Sequence, residues 1–114
     1  MIKRYQVGKR LSRAVAGTPS VFVGGQVPTN RTGTVEEQTM EVLQKIDNLL
    51  AEAGTNKSRL LSVTVYVANM ADFAAMNSVY DAWIDPENPP ARACVEARLA
   101  DPNIRVEMTA VASV

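Results

Sequence analysis

The sequence predicts a single α+β domain, a sheet with two helices on one face. Three observations carry this expectation. The chain has 114 residues, room for one core and no more. Its elements run as strands, helix, strand, helix and two final strands. Both helical stretches are amphipathic, and two amphipathic helices can cover only one face of such a sheet.

Short β-prone runs fall around Lys3–Val7, Ser12–Ala16 and Ser20–Val23, punctuated by Gly8 and by Gly17-Thr18-Pro19. Gly24-Gly25-Gln26-Val27-Pro28 follows the third run and is expected to end it. Thr34-Val35-Glu36-Glu37 matches a capping box, in which Thr34 and Glu37 satisfy each other's exposed backbone donors. Behind it Val35, Val42, Leu43, Ile46, Leu49, Leu50 and Ala53 trace one apolar helix face. Gly54 supplies a left-handed stop. Lys57-Ser58-Arg59 leads into Leu60–Val67, where Leu61, Val63, Val65 and Val67 alternate with Ser62, Thr64 and Tyr66, the pattern of a strand.

The second helix is expected from about Ala71 to Ile84, capped by Asn69, with Phe73, Met76, Val79, Tyr80 and Trp83 buried. Asp85-Pro86-Glu87-Asn88-Pro89-Pro90 ends it, because proline cannot continue a helix. The last two runs, Arg92–Leu99 and Ile104–Val111, flank the turn Ala100-Asp101-Pro102-Asn103 and read as a β-hairpin. The face opposite the helices carries Ser62, Thr64 and Tyr66, too polar for a second core. That face suits packing against other subunits in a closed cyclic oligomer. Such assembly would deepen the shallow core that a chain of this length can bury alone.

Composition narrows the function. Twelve basic residues balance twelve acidic ones, which argues against a dedicated phosphate-backbone binder, so no nucleic-acid partner is expected. There is no histidine, which excludes histidine triads, histidine general bases and HExxH zinc sites. The single cysteine, Cys94, has no intramolecular disulfide partner and suits a reducing compartment. The segment Met1–Gln6 has no apolar signal core, and no run approaches a membrane span, so a soluble, cytoplasmic chain with no membrane partner is expected.

The chemistry gathers near the end of the chain. Alternation within Arg92–Leu99 sets Arg92 and Cys94 on one face and Ala93, Val95, Ala97 and Leu99 on the other. In a hairpin with Leu99 opposite Ile104, Val95 pairs with Met108 and Ala97 with Val106. Glu107 then joins the Arg92/Cys94 face as a diagonal neighbour of Cys94. The same register sets Glu96 across from Glu107. That like-charge conflict would call for a bulge near Ala97-Arg98, and a one-residue slip would reverse the faces.

Pro90-Ala91-Arg92-Ala93-Cys94-Val95-Glu96, with Val106-Glu107-Met108 behind it, closely resembles the carboxyl-terminal signature of the Rid family (RidA/YjgF, formerly labelled endoribonuclease L-PSP). Three more stretches resemble that family in the same order: Val23-Gly24-Gly25-Gln26-Val27-Pro28, Leu49–Gly54 and Asp72-Phe73-Ala74-Ala75-Met76-Asn77. The resemblance implies a chorismate-mutase-like subunit with a mixed sheet, a homotrimer, and three clefts between subunits. It also implies hydrolysis of reactive 2-imino acids, or their enamine tautomers, to 2-oxo acids and ammonia. Dehydratases that use pyridoxal phosphate release such intermediates. Carried over by position, Arg92 would grip the substrate carboxylate, Glu107 would hold and activate water, and Cys94 would line the pocket. Gly25 would offer backbone contacts and Asn77 would shape or buttress the site. No cofactor and no metal is implied, because an imine is already electrophilic and needs mainly positioning and a base.

Each of these residues also has a plainer reading. Arg92 could be a surface salt-bridge partner, Glu107 could pair with Arg98 or Arg105, and Asn77 could serve a helix–loop hydrogen bond. Cys94 has no histidine to activate it and reads as a small pocket-lining hydrophobe. Gly24-Gly25 lacks the rest of a phosphate-binding motif and reads as a turn, and the Phe73/Met76/Trp83 stripe reads as core. Active members of the family carry a tyrosine before the second strand. Here Gly8–Val15 has none: Arg10 and Ser12 stand in that area, and Tyr5 is out of register. That departure keeps a second function open, a non-catalytic regulator that binds a small carboxylate in the same cleft. A ribonuclease or translation inhibitor is the weakest alternative, given zero net charge and no histidine. For chorismate mutase activity nothing beyond architecture speaks.

Overall fold

A computed structural model of the chain describes residues 2–10 and 12–114. Strands β1 (Ile2–Val7), β2 (Ser12–Gly17) and β3 (Ser20–Gln26) form an antiparallel meander. Helix α1 (Val35–Glu52), strand β4 (Leu60–Val67), helix α2 (Phe73–Trp83), strand β5 (Ala91–Glu96) and strand β6 (Val106–Ser113) follow. One six-stranded sheet results, in the order β1-β2-β3-β6-β4-β5. It is mixed, because β5 runs parallel to β4 while every other pair is antiparallel.

Local chemistry sets the helix ends as expected. Thr34 Oγ1 accepts from the Glu37 amide at 3.2 Å, and Glu37 Oε1 accepts from the Thr34 amide at 2.9 Å. Gly54, at φ +81°, takes the left-handed conformation that stops α1. The full apolar face of α1, from Val35 to Ala53, is buried, and it packs on β3, β6 and α2. Asn69 caps a single 3-10 turn, Met70–Asp72, which delivers the chain into α2 two residues later than the sequence suggests. Met76 and Tyr80 are buried on α2, but Phe73 is 38% exposed and is not core. Phe73 sits at the first residue of the helix, three residues before the buried Met76.

Two expectations about strands are overturned. β3 does not end before Gly24-Gly25; it continues to Gln26, with an irregular register against β6 between Val23 and Gln26. Two adjacent glycines without Cβ atoms accommodate that irregularity. The larger correction concerns the last two strands, which form no hairpin. β4 lies between β5 and β6, pairing Val65 with Cys94 on one side and with Met108 on the other. The reason is burial. Val63, Val65 and Val67 are almost completely buried, as in a central strand, whereas β5 has no buried residue and fits only an edge.

The connection from β5 to β6 is pinned away from a tight turn by Gln38 on α1. Its buried side chain donates to the Asn103 carbonyl (2.9 Å) and accepts from the Arg105 amide (2.8 Å). Helices cover one face, where Val21, Val23, Val63, Val65, Met108 and Ala110 meet them. The opposite face is open. Across it run rows such as Glu107–Tyr66–Val95 and Val15–Phe22–Val111–Ser62, with Phe22 54% and Val95 42% exposed.

Candidate functional site

The pairing separates what the expected hairpin would have joined. Arg92, opposite Val63, and Cys94, opposite Val65, lie on the helix-covered side of the edge strand. Glu107 stands opposite Tyr66, on the open side. Glu107 is therefore not a diagonal neighbour of Cys94 and does not share its face. The like-charge conflict between Glu96 and Glu107 also disappears, since β4 intervenes. Glu96 instead accepts from the Met70 amide at 2.8 Å.

The structure thus holds two half-sites. The first is built on β5 and α2. Arg92 Nη1 donates to Asn77 Oδ1 at 2.7 Å, and the guanidinium carbon lies 4.6 Å from the centre of the Tyr80 ring. No carboxylate pairs with Arg92 among the described residues. Neither the surface ion pair nor a purely helix–loop role for Asn77 is what the geometry displays: Asn77 orients Arg92. Asn77 takes one of five guanidinium N–H groups, which leaves the rest of the fork for an oxyanion. Cys94 lies beside Arg92 along the same strand face. Burial pushes its thiol above the usual range, and the Arg92 charge offsets only part of that. At neutral pH it is a protonated, weakly polar wall.

The second half-site lies at the β3 irregularity. A Cβ built at Gly25 would fall on the Glu107 carboxylate, so Gly25 is the residue that leaves room for Glu107 over β3. Gly24 in turn lies against the backbone carbonyls of Ser12 and Arg13. Neither Arg98 nor Arg105 forms an ion pair with Glu107 among the described residues.

Tyr80 belongs to the first half-site as well as to the core. Its spacing three residues after Asn77 on α2 was the available signal, since positions three apart share a helix face. Burial raises the Tyr80 phenol pKa against the lowering effect of the Arg92 charge. Behind Tyr80 stands Trp83, with ring centres 6.0 Å apart. The Trp83 indole N–H donates to Asp47 on α1 at 2.8 Å.

A mixed sheet with two helices on one face, a split Arg/Glu constellation and a glycine pair beside the glutamate define a YjgF-type subunit, and comparison with known proteins agrees. The family model described as Endoribonuclease L-PSP matches residues 1–114. A RutC family protein of Haemophilus ducreyi is 45% identical over 114 residues, covering 100% of this chain and 97% of the relative. The RutC family protein YoaB of Escherichia coli is 38% identical over 113 residues, covering 99% and 98%. The crystal structure of a YjgF family member from Neisseria meningitidis superposes with a TM-score of 0.96 at 45% identity, covering 99% of this chain and 94% of that one. The chain belongs to the Rid/YjgF family.

Proposed function

We propose that the protein hydrolyses reactive 2-imino acids, and their enamine tautomers, to 2-oxo acids and ammonia, in a cleft formed between copies of the chain. The observation that carries this reading is the separation of the half-sites. Arg92, Asn77 and Cys94 sit on one side of an edge strand, and Gly25 and Glu107 sit on the other side of the sheet. One chain cannot close them around a small molecule. A second copy, packed against the open face, brings its own Arg92 toward Glu107.

The homotrimer has two supports. The open face exposes Phe22 and Val95 beside small and hydroxylated residues. Charge is also segregated although its sum is zero. Five of the twelve basic residues lie within the first 13 positions, before any acidic one. Between Leu60 and Ala91 there are four acidic residues and no basic one. The first segment holds β1, one edge of the sheet, and the second holds β4 and α2, which lead into the strand at the other edge, β5, an arrangement that favours head-to-tail contacts closing into a ring.

Within such a cleft the Arg92 fork holds the substrate carboxylate and so fixes the adjacent imine carbon. Glu107 accepts a proton from water as the water oxygen bonds to that carbon. Glu107 passes that proton to the imine nitrogen, giving a neutral tetrahedral carbinolamine. Glu107 then takes the carbinolamine hydroxyl proton and delivers it to the amine nitrogen as the C–N bond breaks and the C=O bond of the 2-oxo acid forms, so that ammonia leaves and Glu107 is again ionised. Cys94 takes no covalent part.

The second reading, a non-catalytic sensor of small carboxylates, rests on one specific feature: Gly8–Val15 contains no tyrosine. It keeps the Arg92 half-site and needs no base. An assay with freshly generated 2-iminopropanoate, 2-iminobutanoate and bulkier imino acids separates the two. Hydrolysis above the spontaneous rate that is lost in Arg92→Ala supports the hydrolase. No acceleration on any imino acid, with Arg92-dependent binding of 2-oxo acids retained, replaces it with the sensor.

A further inference from the structure

We infer that Tyr80 is a positioning residue for Arg92, and that with Trp83 and Asp47 it forms a platform that sets the plane in which the guanidinium meets its ligand. The inference rests on the carboxylate-clamp reading of Arg92 and extends it to residues which that reading does not use.

Arg92 projects from an edge strand, where nothing in the strand itself restrains a long side chain. Two contacts restrain it. Asn77 fixes one end of the fork through a 2.7 Å hydrogen bond. Tyr80 lies under the guanidinium at 4.6 Å, and it is only 6% exposed. A hydrogen bond to Nη1 alone leaves the guanidinium free to pivot about that contact. A ring beneath it removes the pivot, because a planar cation over an aromatic face is held by both electrostatics and packing. The ring is itself held: Trp83 tilts against it at 51°, and the Trp83 indole is tied to Asp47 on α1. The Arg92 plane is thereby referred through α2 to α1, whose apolar face is buried in the core. Preorganised in this way, the clamp loses less rotamer freedom when a carboxylate binds.

What matters here is the ring, not the hydroxyl. Tyr80→Phe should leave affinity for 2-oxobutanoate within about twofold of wild type. Tyr80→Leu should weaken it about tenfold, the range expected when a buried cation–π contact and its geometry are lost. Tyr80→Met fills the space flexibly and supplies the second variant if Tyr80→Leu does not fold. A merely structural role is distinguished by repeating each substitution on Arg92→Lys, whose point-like ammonium gains little from a flat platform. There the loss should shrink to about twofold or less. Folded Tyr80→Leu or Tyr80→Met with wild-type affinity overturns the inference. So does an equal loss in the wild-type and Arg92→Lys backgrounds, or a loss in Tyr80→Phe as large as in Tyr80→Leu. If Arg92→Ala itself binds 2-oxobutanoate like wild type, the clamp reading falls, and the platform falls with it.

Discussion

The carboxylate of Glu107 occupies the space that a side chain at Gly25 would need. This makes Gly25→Ala an indirect substitution of Glu107. The methyl group must push the carboxylate aside, and a terminal carboxylate can swing away at little cost to folding. Gly25→Ala should therefore reduce turnover on the order of a hundredfold, as much as Glu107→Gln. Thermal stability should change by no more than about 1 kcal/mol. Kinetics on both variants, beside their melting curves, check this. Normal turnover in Gly25→Ala would mean that the glutamate does not work from this position.

Arg92 and Asn77 make a separate prediction about binding. Arg92→Lys keeps the charge and loses the fork, so affinity for a 2-oxo acid should fall about tenfold or more. Asn77→Ala frees the guanidinium at Nη1 and should raise KM several-fold while leaving kcat nearly unchanged, because the residue orients the clamp without touching the reacting carbon. Isothermal titration with 2-oxobutanoate and steady-state kinetics measure the two effects.

Cys94 yields a prediction about pH. Burial holds its thiol above the ordinary range, so alkylation by iodoacetamide should be slow at neutral pH and accelerate only above the usual thiol pKa. Cys94→Ser should keep activity within about tenfold. The alkylated protein should be inactive, because the adduct fills the cleft beside Arg92. A rate of alkylation already maximal at neutral pH would show an activated thiolate and reopen covalent chemistry.

The capping box gives a stability prediction. Thr34→Ala should cost about 1 kcal/mol, read from denaturant unfolding. Hydrogen bonds from the Thr34 amide and hydroxyl lower the Glu37 pKa. A carboxyl lowered on folding adds stability that is complete above its unfolded pKa and is lost as pH falls through the folded value. The difference between wild type and Glu37→Gln should therefore be constant near neutrality and shrink at acid pH.

Much of the fold was legible because it is written locally. The Thr34/Glu37 pair, Gly54 and the apolar face from Val35 to Ala53 specify α1 without reference to the rest of the chain. The alternation Val63, Val65, Val67 likewise specifies β4. The neighbour of each strand is not local information. Ala91–Glu96 and Val106–Ser113 with a turn between them look like a hairpin, and only the competition for the central place excludes it. β4 wins that place because its valines need cover on both flanks, while Gln38 ties the Asn103–Arg105 segment to α1. The site followed the same division. The alternation that groups Arg92 with Cys94 is readable in the strand itself, whereas Asn77 enters only through the family resemblance. The face of Glu107 depends on strand order, which puts it on the side opposite to the one a hairpin predicts. Tyr80 was hidden because a buried aromatic on a helix reads as core until its partner is known.

A site shared between copies can be tested by complementation. Arg92→Ala and Glu107→Gln should each be inactive while assembling normally. When the two are co-expressed, or mixed by dissociation and reassembly, about a quarter of the clefts in a randomly mixed 1:1 ring should pair an intact Arg92 with an intact Glu107 from the neighbour. Imine hydrolysis should then return to roughly a quarter of the wild-type rate. Mixed oligomers as inactive as their parents, with subunit exchange demonstrated by mass, would place both residues in one chain's own site or outside any site, and would contradict the account.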